Sequence, residues 1–175
     1  MLSGRNVILG PVLPQDFSLL FQWADDLEAA QYNETYRPPL WKQQEDLWFP
    51  RLPDPSRVLL IIRRPETSHA IGYVQIWNID AVHQSAILGL RIGSVEDRGH
   101  GLGKEAFELA INYCWNHLHL SRIALSVFAN NTAAIALYRK GGFIEEGRLK
   151  QAAFIDGQWV DILLMALIHP RRQHF

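Results

Sequence analysis

At 175 residues, 48% of them hydrophobic and 20% charged, the chain suits one stably folded domain spanning residues 1–175. A formal net charge of −1 supplies none of the basic field that phosphate-backbone binding needs, which sets nucleic acid aside as a partner. The N-terminus lacks the apolar region of a signal peptide and no apolar stretch reaches membrane-spanning length, so a cytoplasmic location without membrane association is expected.

Residues near Asn6 to Val12 read as an opening strand. Pro14 then stands where helices often begin, and Phe17, Leu20, Ala24 and Leu27 repeat at helical spacing. A shorter helix follows from about Trp41 to Arg51, between the Pro-rich breaks Arg37-Pro38-Pro39 and Pro53-Asp54-Pro55. Val58–Ile62, Ile71–Trp77 and Ala86–Ile92 are short, aliphatic-rich and separated by turn residues, the pattern of three antiparallel strands. From Gly101, the residues Ala106, Leu109, Ala110, Tyr113 and His117 return to helical spacing. The single cysteine, Cys114, falls in that apolar pattern and reads as a buried structural thiol. A β-rich run Ile123–Phe128, a helix from Thr132 to Lys140 ended by Gly141-Gly142, and strands near Gly147–Phe154 and Trp159–Ile168 around an Asp156-Gly157 turn complete the chain. The sum is an α/β (α+β) domain with a mixed sheet of about seven strands and about four helices. The apolar final strand, Ile162–Ile168, would support edge pairing and a homodimer.

The densest chemical signal is Arg98-Gly99-His100-Gly101-Leu102-Gly103-Lys104, lying between a strand and a helix. Small residues leave backbone N–H groups approachable, and the helix N-terminus adds partial positive charge, so the turn suits a phosphate or pyrophosphate. Arg98 would add a charge-assisted hydrogen bond. A P-loop needs Gly-Lys followed by Ser or Thr, but Glu105 follows Lys104. The dinucleotide fingerprint needs Gly-x-Gly-x-x-Gly after a first strand, and here the spacing is Gly-x-Gly-x-Gly late in the chain.

Arg98-x-x-Gly101-x-Gly103, together with Asn131-x-x-Ala134-Ile135-x-Leu137-Tyr138-x-Lys140-x-Gly142-Phe143, resembles the two signature segments of the GNAT family of N-acetyltransferases. Glu146-Gly147 and Asp156-Gly157 resemble its branch of ribosomal-protein, spermidine and aminosugar N-acetyltransferases. The match is close over about residues 86–168, the expected cofactor-binding core, with acceptor-side helices over about 14–52. The resemblance implies acetyl-coenzyme A as cosubstrate and a parallel strand pair that splays to admit the pantetheine arm along Leu90, Arg91 and Ile92; His117-x-His119 lacks partnering ligands, so no metal is expected. It further implies a pyrophosphate resting on the amides from Gly99 through His100, Gly101, Leu102 and Gly103 to Lys104, with Asn131, Ala134 and Tyr138 on the other side of the cofactor.

The implied reaction is direct transfer of acetyl to a primary amine on a peptide N-terminus, a polyamine or an aminosugar. Tyr138 matches the residue that protonates the departing thiolate. The strand Ala86-Ile87-Leu88-Gly89-Leu90 lacks the glutamate many relatives carry, and Glu34, in the loop bordering the acceptor site, is the leading candidate base. A coenzyme-A-binding module without catalysis would need the same loop, and retention of Tyr138 favours the enzyme.

Overall fold

The computed structural model describes residues 1–33, 36–50 and 54–172. Among these, eight strands form one sheet: β1 Leu2–Ser3, β2 Ile8–Gly10, β3 Val58–Arg63, β4 Ala70–Asp80, β5 Ser85–Ile92, β6 Arg122–Phe128, β7 Ile144–Ile155 and β8 Gln158–Ile168. Their order is β1-β2-β3-β4-β5-β6-β8-β7, antiparallel throughout except between β5 and β6. Five α-helices accompany them: α1 Phe17–Ala24, α2 Leu27–Asn33, α3 Trp41–Trp48, α4 Leu102–Asn116 and α5 Thr132–Lys140. None of the described helices is long and apolar enough to cross a membrane.

Adjacent residues of β3 divide the interior. Ile61 joins the cluster of Phe17, Leu20, Trp23 and Trp48 from α1 and α3, while Ile62 joins the larger cluster built on Phe107, Leu88, Ile123 and Met165. This alternation is the period of a strand whose two faces are both covered. Cys114 is fully buried in the larger cluster, and desolvation pushes its thiol up to about 12, so it carries no thiolate chemistry at neutral pH.

The sequence pattern differs from the fold in three places. The extra strand β1 pairs only Leu2 with Leu9 and Ser3 with Ile8, too short a segment to display a period. The helix expected from Pro14 through Leu27 is broken. It opens as a 3₁₀ turn over Pro14–Asp16 and α1 ends at Ala24, because the Asp26 carboxylate accepts the Ala29 N–H at 3.0 Å and starts α2 afresh. The final strand, expected at an edge, lies between β6 and β7, so homodimer pairing through Ile162–Ile168 is closed off and β7 is the outer strand.

Two turns obey their local chemistry. Asp156 and Gly157 take φ of +46° and +77°, the two left-handed residues of a type I′ hairpin turn joining β7 to β8. At the end of α5, Phe143 N–H donates to the Tyr138 carbonyl at 3.0 Å and Gly142 N–H to that of Arg139 at 3.1 Å. These two bonds form a Schellman motif, and Gly142 sits at φ +90°. Gly142→Ala should lower stability by about 1–2 kcal/mol, since an L side chain resists that conformation. A denaturant titration reads the loss as a lower midpoint with unchanged slope.

Candidate active site

The parallel pair is joined over three residues only, Ser85, Ala86 and Ile87 of β5 opposite Arg122, Ile123 and Ala124 of β6. Beyond them β5 stays on β4 as far as Ile92, and β6 stays on β8 as far as Phe128. The strands therefore diverge, and β5 presents an open edge from Leu88 onward, where an extended chain can add its own hydrogen bonds. A cavity of about 830 Å³ is lined by Leu90, Arg91 and Ile92 on one side and by Asn130, Asn131, Thr132, Ala134 and Leu137 on the other.

Arg98, Gly99, Gly101, Gly103 and Lys104 line the same cavity. Gly99 and Gly101 both stand at φ +79°, and no described atom lies within 4 Å of where a β-carbon would sit on either. Gly101 is the N-cap of the 15-residue α4, whose first backbone bond runs from Glu105 N–H to the Gly101 carbonyl at 3.1 Å. The amides of Leu102, Gly103 and Lys104 come before that ladder, at the positive end of the helix dipole. Open backbone, left-handed glycines and a helix N-terminus together fit a pyrophosphate. The Leu102 side chain is buried in the core and His100 is exposed, and neither lines the cavity.

Arg98 has a second occupation. Its guanidinium donates to the carbonyls of Ile92 at 3.2 Å and Gly93 at 2.7 Å and lies 3.7 Å from Asp26 Oδ2. It anchors the end of β5 to the glycine loop, work that the motif alone does not reveal. Gly101→Val should raise the dissociation constant for acetyl-coenzyme A by about tenfold or more, as a β-branched residue both resists φ +79° and fills the open space. Titration calorimetry of the purified variant measures it.

On α5, Asn131 accepts the Ala134 N–H at 3.1 Å through its side-chain oxygen and donates through its amide to the Tyr32 carbonyl at 3.1 Å. Tyr138 is one turn beyond Ala134 on the helix, and only 8% exposed. Its ring packs against Phe107 and Phe143 with centroids 5.2 and 6.0 Å away. It is not among the residues that line the cavity, so the structure brings its neighbours to that surface rather than the tyrosine itself. Burial pushes its phenol above the usual value of 10.

A second cavity, about 430 Å³, lies between α2 and the β7–β8 hairpin, with Leu27, Glu28, Ala30, Gln31 and Tyr36 opposite Phe154, Ile155 and Asp156. Tyr36 is held by a hydrogen bond from its hydroxyl to Asp25 at 2.8 Å. Glu34, the candidate base, lies outside the described residues. Sequence reading identified the hairpin turn but not that its flank, Phe154 to Asp156, closes a cavity against α2; nothing local in either segment signals the other. Among the described residues no group of three or more His, Cys, Asp or Glu is arranged to hold a metal.

The family model described as an acetyltransferase (GNAT) domain matches residues 6–144. The spermidine N(1)-acetyltransferase of Escherichia coli (strain K12) is 30% identical over 169 residues, which cover 95% of this chain and 88% of that protein. The Vibrio cholerae spermidine N(1)-acetyltransferase is 33% identical over 101 residues, so the match spans only 58% of that relative's length. A crystal structure of spermidine N-acetyltransferase from Vibrio cholerae in complex with CoA and spermine superposes with a TM-score of 0.86 at 24% identity, covering 94% of this chain and 96% of that one, a likeness of fold. With the family model spanning most of the chain and a relative aligned almost from end to end, this protein belongs to the GNAT family of acetyltransferases.

Proposed function

We propose that this acetyltransferase passes the acetyl group of acetyl-coenzyme A directly to a primary amine of a polyamine, bound in the cavity between α2 and the β7–β8 hairpin. The observation that carries this reading is the pairing of two cavities across α2. One has the open strand edge and anion-binding loop that suit the cosubstrate, and the other is apolar with carboxylates at its rim. Glu28 and Asp156 supply negative charge, while Tyr36 and the half-exposed ring of Phe154 offer aromatic faces. That combination suits cations spaced along methylene chains. The relatives named for spermidine point to the same class.

When bound, the cosubstrate supplies a thioester acyl group open to attack by an amine. An alkyl amine of pKa about 10.4 is neutral in only about four parts in ten thousand at pH 7, so its proton must be removed. Glu34, two residues before Tyr36 in the chain, is the proposed base. A backbone N–H near Ile92, at the open edge of β5, polarises the acyl carbonyl. Tyr138 is the proposed acid. The role rests on its match to the family motif: Ala134 and Leu137 beside it, and not its own ring, line the cavity, and its raised pKa keeps the phenol protonated through the neutral range.

The test is thiol release from acetyl-coenzyme A across spermidine, peptides with different N-termini, and amino-sugar nucleotides. Spermidine-dependent release is the expected result. Release with peptides or amino sugars alone would replace the acceptor class, and cosubstrate binding without release on any amine would leave a coenzyme-A-binding module.

A further inference from the structure

Helix α2 is a wall shared by the two cavities. Ala29 and Tyr32, three positions apart and hence on one face, line the cosubstrate cavity; Glu28 and Gln31, also three apart, line the other. A helix of seven residues is far too short to persist by itself, so whatever fixes its ends determines where the wall stands.

Both ends are tied to residues of the cosubstrate cavity. At the N-terminus Asp26 uses one carboxylate oxygen to accept the Ala29 N–H, while the other lies 3.5 Å from the Arg91 guanidinium and 3.7 Å from that of Arg98. At the C-terminus the side-chain amide of Asn130 donates to the Gln31 carbonyl at 3.3 Å, and that of Asn131 donates to Tyr32. Those carbonyls belong to the last turn of α2, where a helix leaves four C=O groups without internal partners. Two consecutive asparagines at the start of α5 therefore cap α2 from across the cavity.

We propose that Asp26, Asn130 and Asn131 are positioning residues that lock α2 between the cavities, so that filling the cosubstrate cavity fixes the wall of the acceptor cavity and strengthens amine binding. The acceptor half of this inference rests on the function proposed above. Coupling of this kind is reciprocal, so a bound amine strengthens acetyl-coenzyme A binding by the same factor.

Asn130→Asp is the decisive substitution. It keeps the side chain's shape at an exposed position but turns a donor into an acceptor facing a carbonyl. Asp26→Asn is its counterpart, preserving the oxygen that caps α2 and removing the charge that faces two arginines. Hydrogen exchange over residues 27–33 is measured with and without acetyl-coenzyme A, alongside the steady-state constants. In the unaltered protein the cosubstrate should slow that exchange about tenfold, and Asn130→Asp should lose most of the slowing. The acceptor KM should rise about three- to tenfold in the variant, and by a larger factor than the dissociation constant for acetyl-coenzyme A, whose cavity Asn130 also lines. Asn130→Gln, which retains the donor, should recover part of both effects. Equal slowing in Asn130→Asp and the unaltered protein would overturn the latch. So would a weakened acetyl-coenzyme A affinity with the acceptor KM unmoved, which would make the asparagine a cosubstrate ligand. Failure of every amine to be acetylated would remove the proposed function, and the exchange result would still decide the latch.

Discussion

Tyr138→Phe should lower kcat by about 10²-fold or more while leaving acetyl-coenzyme A affinity and thermal stability close to those of the unaltered protein. The substitution deletes one hydroxyl and keeps the ring, whose contacts with Phe107 and Phe143 hold that end of α5 in the larger core. A purely packing tyrosine would tolerate it, so an unchanged kcat would reject the acid role. The pH profile gives a second reading. Because burial raises the phenol's pKa, the acid form is complete at neutral pH and is lost only as pH rises beyond 10. Any alkaline decline assigned to this residue must have its midpoint above that value, and it should vanish in the phenylalanine variant. The Schellman turn that follows gives the motif's Gly142-Phe143 a physical purpose: it closes α5 directly onto the Tyr138 carbonyl and sets Phe143 against the tyrosine ring.

The site was legible in the sequence wherever its chemistry is contiguous. Gly99 and Gly101 both stand at φ +79°, a conformation that favours glycine, and such a preference shows in the sequence as a cluster. Asp156-Gly157 was readable as a turn for the same reason. The division of α1 from α2 turned on one carboxylate, Asp26, that prefers capping to continuing; apolar spacing through Leu27 masks it. What resisted reading was long-range. Arg98 carried the mark of a phosphate ligand, yet the carbonyls of Ile92 and Gly93 that it binds become neighbours only when β5 meets the loop. Asn131 matched a cofactor motif, yet one of its bonds goes to α2, nearly a hundred residues earlier. The opening between β5 and β6 was expected from the family resemblance alone: it depends on where their pairing stops, and neither strand's pattern encodes that.

The largest loss of stability should follow Asp16→Ala. Asp16 and Arg63 face one another inside the protein with side chains only 3% and 6% exposed, joined by two parallel bonds of 2.9 and 2.6 Å. The same carboxylate accepts the Leu13 N–H at 2.7 Å, and the guanidinium also donates to the carbonyls of Pro11 and Ser68. One charge pair thus fastens the segment entering α1 to β3 and to the turn after it. Removing the carboxylate leaves a buried guanidinium with no other ion-pair partner among the described residues, a change that costs about 3–5 kcal/mol. Set against a typical total of about 5–15 kcal/mol, that is a large share of the stability. At about 2–4 °C per kcal/mol for a chain of this size, the melting temperature should fall by roughly 6–20 °C. A fall of only a degree or two would mean that water reaches Arg63. Replacing both residues, Asp16→Leu with Arg63→Met, should recover most of the loss, because the penalty belongs to the stranded charge rather than to the missing bonds. Recovery of stability in the double variant, measured beside the single one, separates a costly unpaired arginine from a general loosening of the turn before α1.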